Sequence, residues 1–171
     1  MAEVIIEATT AADYAAFADL IRAYIAWQQV RYRGQGEIVD RIFAHQNIDE
    51  ELANLSAKYG PPLGLTLLVS RDDTYIGGAA YRDIGGGACE MKRLFILDGY
   101  QGQGSGRALA TDLMLRARDA GFTTMKLDTG YLQTEAIAMY ESLGFERCEP
   151  YNKYPDEYLP IIVFMQKSLV D

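Results

Sequence analysis

A strand that runs straight into a glycine turn and then an amphipathic helix leaves a chain few folds, and residues 89–120 spell such a unit. Arg93-Leu94-Phe95-Ile96-Leu97 is a short, mostly apolar run of strand length. Gly102, Gly104 and Gly106 alternate through the turn. Beyond them Leu109, Leu113 and Ala117 recur at helical spacing, with Ala110 and Met114 beside them, while Asp112 and Arg116 form an i,i+4 pair on the wet side. Gly106 falls inside the apolar arc, which predicts a close approach of helix to sheet at that point. Glycines leave backbone amides uncovered, so the turn and the helix N-terminus together suit a phosphate or pyrophosphate. A tight connection needing positive φ explains the same glycines without a ligand. Two dinucleotide motifs fit poorly. The Rossmann fingerprint needs two further residues before its last glycine, and the P-loop needs Lys-Ser/Thr where Arg107-Ala108 stands.

Composition narrows the classes. With 171 residues, 49% of them apolar, the expectation is one ordered domain spanning residues 1–171. A net charge of −8 disfavours general nucleic-acid binding, which needs a basic surface, and mildly favours basic substrates such as amines. Cys89 and Cys148 lack CxxC spacing, and neither a secretory segment nor a membrane-length apolar run stands out. The chain is therefore expected to be cytoplasmic, with reduced thiols and no membrane partner. His45 is the single histidine, so no metal site is expected.

Around the central unit, Val4-Ile5-Ile6 predicts an opening strand. Thr10 with Asp13 predicts the cap of a helix whose apolar face holds Tyr14, Phe17, Ile21, Tyr24 and Ile25. In residues 33–46, Ile38, Ile42 and Phe43 suggest a short helix or a lid. Asn47 is placed to cap a further helix carrying Ile48, Leu52 and Leu55, which Gly60-Pro61-Pro62 stops. Strands are expected at residues 65–70, 75–81 and 89–97, with Gly77-Gly78 marking a bulge or close approach. After the glycine turn and its helix come a strand at 124–129, a helix at 133–143, a strand at 145–149, an aromatic loop at 150–160 and a last strand at 161–166. The order βααβββαβαββ predicts an α/β (α+β) fold: a mixed, mostly antiparallel sheet of about seven strands flanked on both faces by about four helices.

That order, together with Gln101-Gly102-Gln103-Gly104-Ser105-Gly106-Arg107 and Ala136-Ile137-Ala138-Met139-Tyr140-Glu141-Ser142-Leu143-Gly144-Phe145, resembles the GNAT superfamily of N-acetyltransferases. The nearest type is the bacterial one whose central strand reads as residues 90–96 do. The family's cofactor signature, Gln/Arg-x-x-Gly-x-Gly/Ala, fits Gln101, Gly104 and Gly106; its second signature is a tyrosine, here Tyr140, just ahead of Leu-Gly-Phe. The resemblance implies acetyl-CoA as cosubstrate, with its pyrophosphate on the amides of Gly102, Gln103, Gly104, Ser105, Gly106 and Arg107. Pantetheine would lie along Leu94, Phe95 and Ile96 as an added strand, where an amide polarises the thioester carbonyl. Where the family often has asparagine on the pantetheine arm, this chain has Gln133, one methylene longer.

Transfer to an amine needs a base for the ammonium proton and a donor for the leaving thiolate. By the family match Tyr140 is the donor; a core tyrosine is the alternative. Glu90 is the leading base. It stands six residues before Ile96, an even offset that puts both on one side of a regular strand, and the histone-acetyltransferase branch has a glutamate base at this separation. Partial burial predicts a raised pKa; a salt bridge to Lys92 or a neighbouring strand is the alternative role. Asp128 is the second candidate, at the position of a glutamate in the ribosomal-protein N-terminal acetyltransferase branch, and His45 the third. Tyr151, Asn152, Tyr154 and Tyr158, with Tyr24, Tyr32 and Phe43, are candidates for an acceptor wall, and Arg22 or Arg31 for holding an acceptor carboxylate. The function expected is direct transfer from acetyl-CoA to a primary amine of a small-molecule acceptor. The alternatives are acetylation of a protein or peptide N-terminus with Asp128 as base, or a non-catalytic acyl-CoA sensor. The family also allows a homodimer through the last strand or the aromatic loop.

Overall fold

The computed structural model describes residues 2–171. Its strands are β1 (Glu3–Glu7), β2 (Gly64–Arg71), β3 (Thr74–Gly85), β4 (Ala88–Ile96), β5 (Thr124–Gly130), β6 (Glu146–Arg147) and β7 (Ile162–Ser168). They form one seven-stranded sheet in the order β1-β2-β3-β4-β5-β7-β6. Every neighbouring pair is antiparallel except β4 with β5. Helices α1 (Ala11–Arg31), α2 (Gly36–His45), α3 (Ile48–Ala53) and α4 (Leu55–Tyr59) cover one face; α5 (Ser105–Asp119) and α6 (Thr134–Ser142) cover the other. Side chains alternate along the strands to serve the two layers. Leu68 and Ala80 meet Phe17, Ile21 and Tyr59 on one side, while Leu67, Val69, Ile76 and Met125 meet Leu109, Leu113 and Ala117 on the other.

The mixed sheet and its two helical layers follow the expected order, with six α-helices among the described residues in place of four. Residues 33–46 supply α2, and the helix expected after Asn47 breaks at Asn54 into α3 and α4. Asn47 does not cap by its side chain: it sits at φ +54° with no cap bond. Thr10 does cap α1, accepting from Asp13 N while Asp13 accepts from Thr10 N. The strand expected at 145–149 shrinks to β6.

Two glycine positions differ in what they demand. A Cβ on Gly77 would lie 2.3 Å from Ile96 Cδ1 and 2.7 Å from Phe95 O, so β3 and β4 can approach only because that residue is glycine. At Gly106 a Cβ would make ordinary contacts, 3.6 Å from Ile96 Cγ1 and 3.8 Å from Met139 Sδ. The close approach expected at Gly77-Gly78 is thus found at Gly77, while the helix-to-sheet contact at Gly106 does not require glycine.

The sheet opens at its centre. β4 and β5 pair only where residues 88–90 meet 124–126. On its other side β4 carries a bulge: Gly78 faces Phe95 while Ala80 faces Lys92, and Arg93 takes φ +60°. The extra residue reverses the alternation. Glu90, paired with Arg82, and Lys92, paired with Ala80, lie toward α1, whereas Cys89, Met91 and Ile96 enter the core beneath α5. Glu90 and Ile96 therefore occupy opposite faces, contrary to the even-offset expectation, which holds only for a regular strand. No helix among the described residues is long and apolar enough to cross a membrane.

Candidate active site

The free edge of β4 beyond Glu90 faces an open groove of about 570 Å³, lined by Leu94, Phe95, Ile96, Gln101, Gly102, Gly104, Gly106, Arg107 and Gln133, and by Met139 of α6. Tyr24, Trp27 and Arg31 of α1 form its other wall. Gly102 and Gly104 sit at φ +74° and +93° with open space where a Cβ would be, a conformation glycine adopts without strain. Among the described residues, the amides of residues 102–107 have no protein acceptor. The polar side chains of the turn point into structural bonds instead. Gln101 Nε2 donates to Ile96 O at 2.8 Å, Gln103 Oε1 accepts from Arg71 Nη1 at 2.9 Å, and Ser105 Oγ donates to Glu3 Oε1 at 2.7 Å. Gln103 and Ser105 are not on the groove wall, so what they offer an anion is backbone alone. A row of unpaired amides ahead of α5 is the cradle a pyrophosphate needs.

A smaller cavity of about 80 Å³ lies behind the groove, between α1, α2 and the parted strands. Tyr24, Tyr32, Phe43, Gln46, Lys92, Asp128, Tyr140 and Tyr154 are on its wall. Tyr24, Leu94 and Gln133 line both spaces, so the two meet there. Gln133 Nε2 donates to Tyr24 OH at 3.3 Å. Tyr140 is buried, and its ring meets Phe145 edge-on at 5.7 Å after the chain turns at Gly144 (φ +93°). Burial raises the Tyr140 pKa, with Tyr24 adding to it, so the phenol keeps its proton at neutral pH.

The aromatic loop closes over two carboxylates. Glu90 is fully buried and accepts from Arg82 Nε at 2.9 Å, Tyr151 OH at 2.8 Å and Asn152 Nδ2 at 2.7 Å. Asn152 Nδ2 also donates to Asp128 Oδ2 at 2.8 Å, and Tyr154 OH donates to the same oxygen at 3.1 Å. Tyr151 and Tyr154 are braced edge-on against Phe164 of β7. Asp128 faces the cavity; Glu90 does not line it. Burial pushes the Glu90 carboxyl up, but the charges of Lys92 and Arg82 and the bonds from Asn152 and Tyr151 outweigh it, so its pKa is lowered. This reverses the expected direction, because charged and polar neighbours replace the apolar surroundings assumed for it. Of the two salt bridges considered, to Lys92 or to a neighbouring strand, Glu90 makes the second, with Arg82 of β3.

The sequence pattern of the acetyltransferase (GNAT) family matches residues 23–145. The chain belongs to the GNAT acetyltransferase family. It is an acyltransferase, and an uncharacterized N-acetyltransferase of Schizosaccharomyces pombe is 40% identical over 127 residues, covering 72% of this chain and 76% of that protein. A Klebsiella pneumoniae structure assigned as an acyl-CoA N-acyltransferase superposes with a TM-score of 0.73 at 28% identity over 98% of both chains. The fold is also that of the Thermoplasma acidophilum PaiA N-acetyltransferase, solved in complex with coenzyme A: TM-score 0.73, 16% identity, 98% of this chain and 99% of that one.

Within this GNAT fold, several residues matter that sequence reasoning passed over. Arg93, at the bulge, is buried; its Nε donates to Glu51 Oε2 of α3 at 2.7 Å. Glu51 Oε1 accepts from Lys58 Nζ at 2.6 Å and Tyr59 OH at 2.8 Å. Burial opposes ionisation of Glu51, yet Arg93 and Lys58 hold its carboxyl down at about 2. The available signal was the position of Glu51 on the helical face of Ile48, Leu52 and Leu55, where a carboxylate must be paired. Gln46 and His45 clasp α2 to the aromatic loop: Gln46 Nε2 donates to Tyr154 OH at 2.8 Å, and His45 Nε2 lies 2.7 Å from Lys153 O. Of the aromatic-loop residues considered for the acceptor wall, Tyr154 reaches it; Tyr151, Asn152 and Tyr158 do not. Arg22 pairs with Asp19 at the surface, and Arg31 donates to Leu132 O beside the groove, so neither lines the cavity.

Proposed function

We propose that this enzyme transfers the acetyl group of acetyl-CoA directly to a primary amine of a small molecule, in a ternary complex. The observation that carries the reading is the meeting of groove and cavity at Tyr24, Leu94 and Gln133. Acetyl-CoA bound in the groove supplies an activated acetyl thioester. The amides of residues 102–107 hold its pyrophosphate, and the free edge at Leu94, Phe95 and Ile96 holds the pantetheine arm, with Gln133 beside it. An amide of that edge donates to the thioester oxygen, where charge develops. Tyr140 gives its proton to the departing thiolate. Asp128, the carboxylate on the cavity wall, takes the amine's proton, directly or through one water. Glu90, the base expected from the sequence, is bound by three protein donors. Its part in this reading is to fix Asn152 and, through Asn152, Asp128. An acceptor cavity of about 80 Å³ suits a small amine better than a polypeptide end.

Calorimetry with acetyl-CoA tests the cofactor assignment; no binding sinks it. Asp128→Asn is expected to lower kcat by about 10²–10⁴-fold and to flatten the rise of rate with pH. If Glu90→Gln flattens the profile and Asp128→Asn does not, Glu90 is the base.

A further inference from the structure

One buried cation makes no direct ion pair or hydrogen bond among the described residues. It is Lys92, which is only 9% exposed and lines the cavity. Its neighbours are already engaged: Arg82 with Glu90, and Arg93 and Lys58 with Glu51. The Lys92 charge helps to hold the Glu90 carboxyl down, yet its ammonium touches no carboxylate oxygen directly. A buried ammonium whose N–H groups meet no acceptor leaves donors that a ligand carboxylate can satisfy. A second group is left over. Tyr154 gives its proton to Asp128, so it accepts from Gln46 Nε2, which fixes the amide and leaves Gln46 Oε1 as an acceptor. That oxygen is buried with no partner. Gln46 and Asp128 thus offer acceptors for N–H groups, and Lys92 offers a cation, all three lining one cavity. A water needs about 10–15 Å³, so about 80 Å³ holds roughly five to eight non-hydrogen atoms.

We propose that the acceptor is a compact zwitterionic α-amino acid, its carboxylate held by Lys92 and its amino group by Asp128 and Gln46 Oε1. The proposal rests on the acetyl-transfer reading and names its substrate class. In the step, the amine nitrogen forms a bond to the acetyl carbon and the carbon–sulfur bond breaks. The ammonium first gives one proton to Asp128, which passes it to solvent; after attack the nitrogen gives its second proton to Asp128, the thiolate takes the Tyr140 proton, and solvent restores the phenol.

The test compares glycine, L-alanine and L-serine with their carboxamides, following thiol release with acetyl-CoA. The amides keep the amine and lose the carboxylate, and their lower amine pKa favours them chemically. The wild-type enzyme is expected to prefer each acid to its amide by about 30- to 150-fold in kcat/KM, the factor of a charge-assisted contact near 2–3 kcal/mol. Lys92→Met is expected to erase that preference mainly through KM, and Lys92→Arg to keep part of it. Equal use of acid and amide by the wild type overturns the proposal without any variant, as does an equal loss on both substrates in Lys92→Met. Acetyl-CoA binding with no amino acid acetylated overturns the proposal and leaves the acetyl-transfer reading standing; absence of acetyl-CoA binding overturns that reading itself.

Discussion

Replacing Glu51 by alanine would strand Arg93 in the interior, and the cost can be worked out in two ways. The two side chains are 1% and 4% exposed, and removing one partner of such a pair costs about 3–5 kcal/mol. Independently, a carboxyl held at about 2 where 4.5 is ordinary reflects about 3 kcal/mol of preferential stabilisation of the charged form. At about 2–4 °C per kcal/mol for a protein of this size, the expected fall in Tm is about 6–20 °C. The pH dependence has a definite sign. The folded-state pKa is depressed, so the stabilisation is fully present above the unfolded carboxyl's pKa and is lost as pH falls through about 2. The gap between wild type and Glu51→Ala should therefore close between about pH 5 and pH 2. Denaturant titrations followed by circular dichroism at several pH values measure it. A loss below about 1 kcal/mol, the value of a surface pair, or a gap that does not narrow in acid refutes the reasoning. Replacing both partners, Glu51→Leu with Arg93→Met, should recover much of the loss, since an apolar pair leaves no charge stranded.

Tyr140→Phe should lower kcat by about 100-fold with acetyl-CoA affinity unchanged by calorimetry; an unchanged kcat removes Tyr140 from the mechanism. Gly77→Ala should destabilise by about 1–3 kcal/mol, because its Cβ would meet Phe95 O at 2.7 Å. Gly106→Ala, with no contact nearer than 3.6 Å, should change stability by less than about 1 kcal/mol, and thermal melts of the two side by side decide the comparison.

What could be read from the sequence was what is encoded locally. The glycine turn requires positive φ at Gly102 and Gly104, and the strand order follows from runs and breaks that the chain states outright. The Tyr140 motif is local too: Gly144 lets Phe145 fold back against the Tyr140 ring. The bulge is different. Nothing in Lys92-Arg93-Leu94 asks for φ +60°, and the partner that holds Arg93 lies 42 residues earlier. The surroundings of Glu90 were hidden for the same reason. Its donors come from β3 and from a loop 61 and 62 residues away, and they join the nearby Lys92 charge in holding its pKa down.

The bulge that defeats the parity argument is also what builds the site. In an unbroken strand, Glu90, Lys92, Leu94 and Ile96 would share a face, and the strand would offer one repeating surface to the groove. With one residue inserted at Arg93, Lys92 remains on the cavity side while Ile96 turns into the core beneath α5. Phe95 swings toward α1, its ring 5.2 Å from Tyr24 and 5.8 Å from Trp27. The groove then lies on one side of the kink and the cavity on the other, joined at Leu94. The Glu51–Arg93 pair holds the residue at the kink, so α3 supports a site it does not line. Loss of that pair should thus weaken acetyl-CoA binding in the fraction of protein that stays folded, beyond its cost in stability. If Glu51→Ala binds acetyl-CoA as tightly as the wild type under conditions where it is fully folded, the bulge is held by the strand alone.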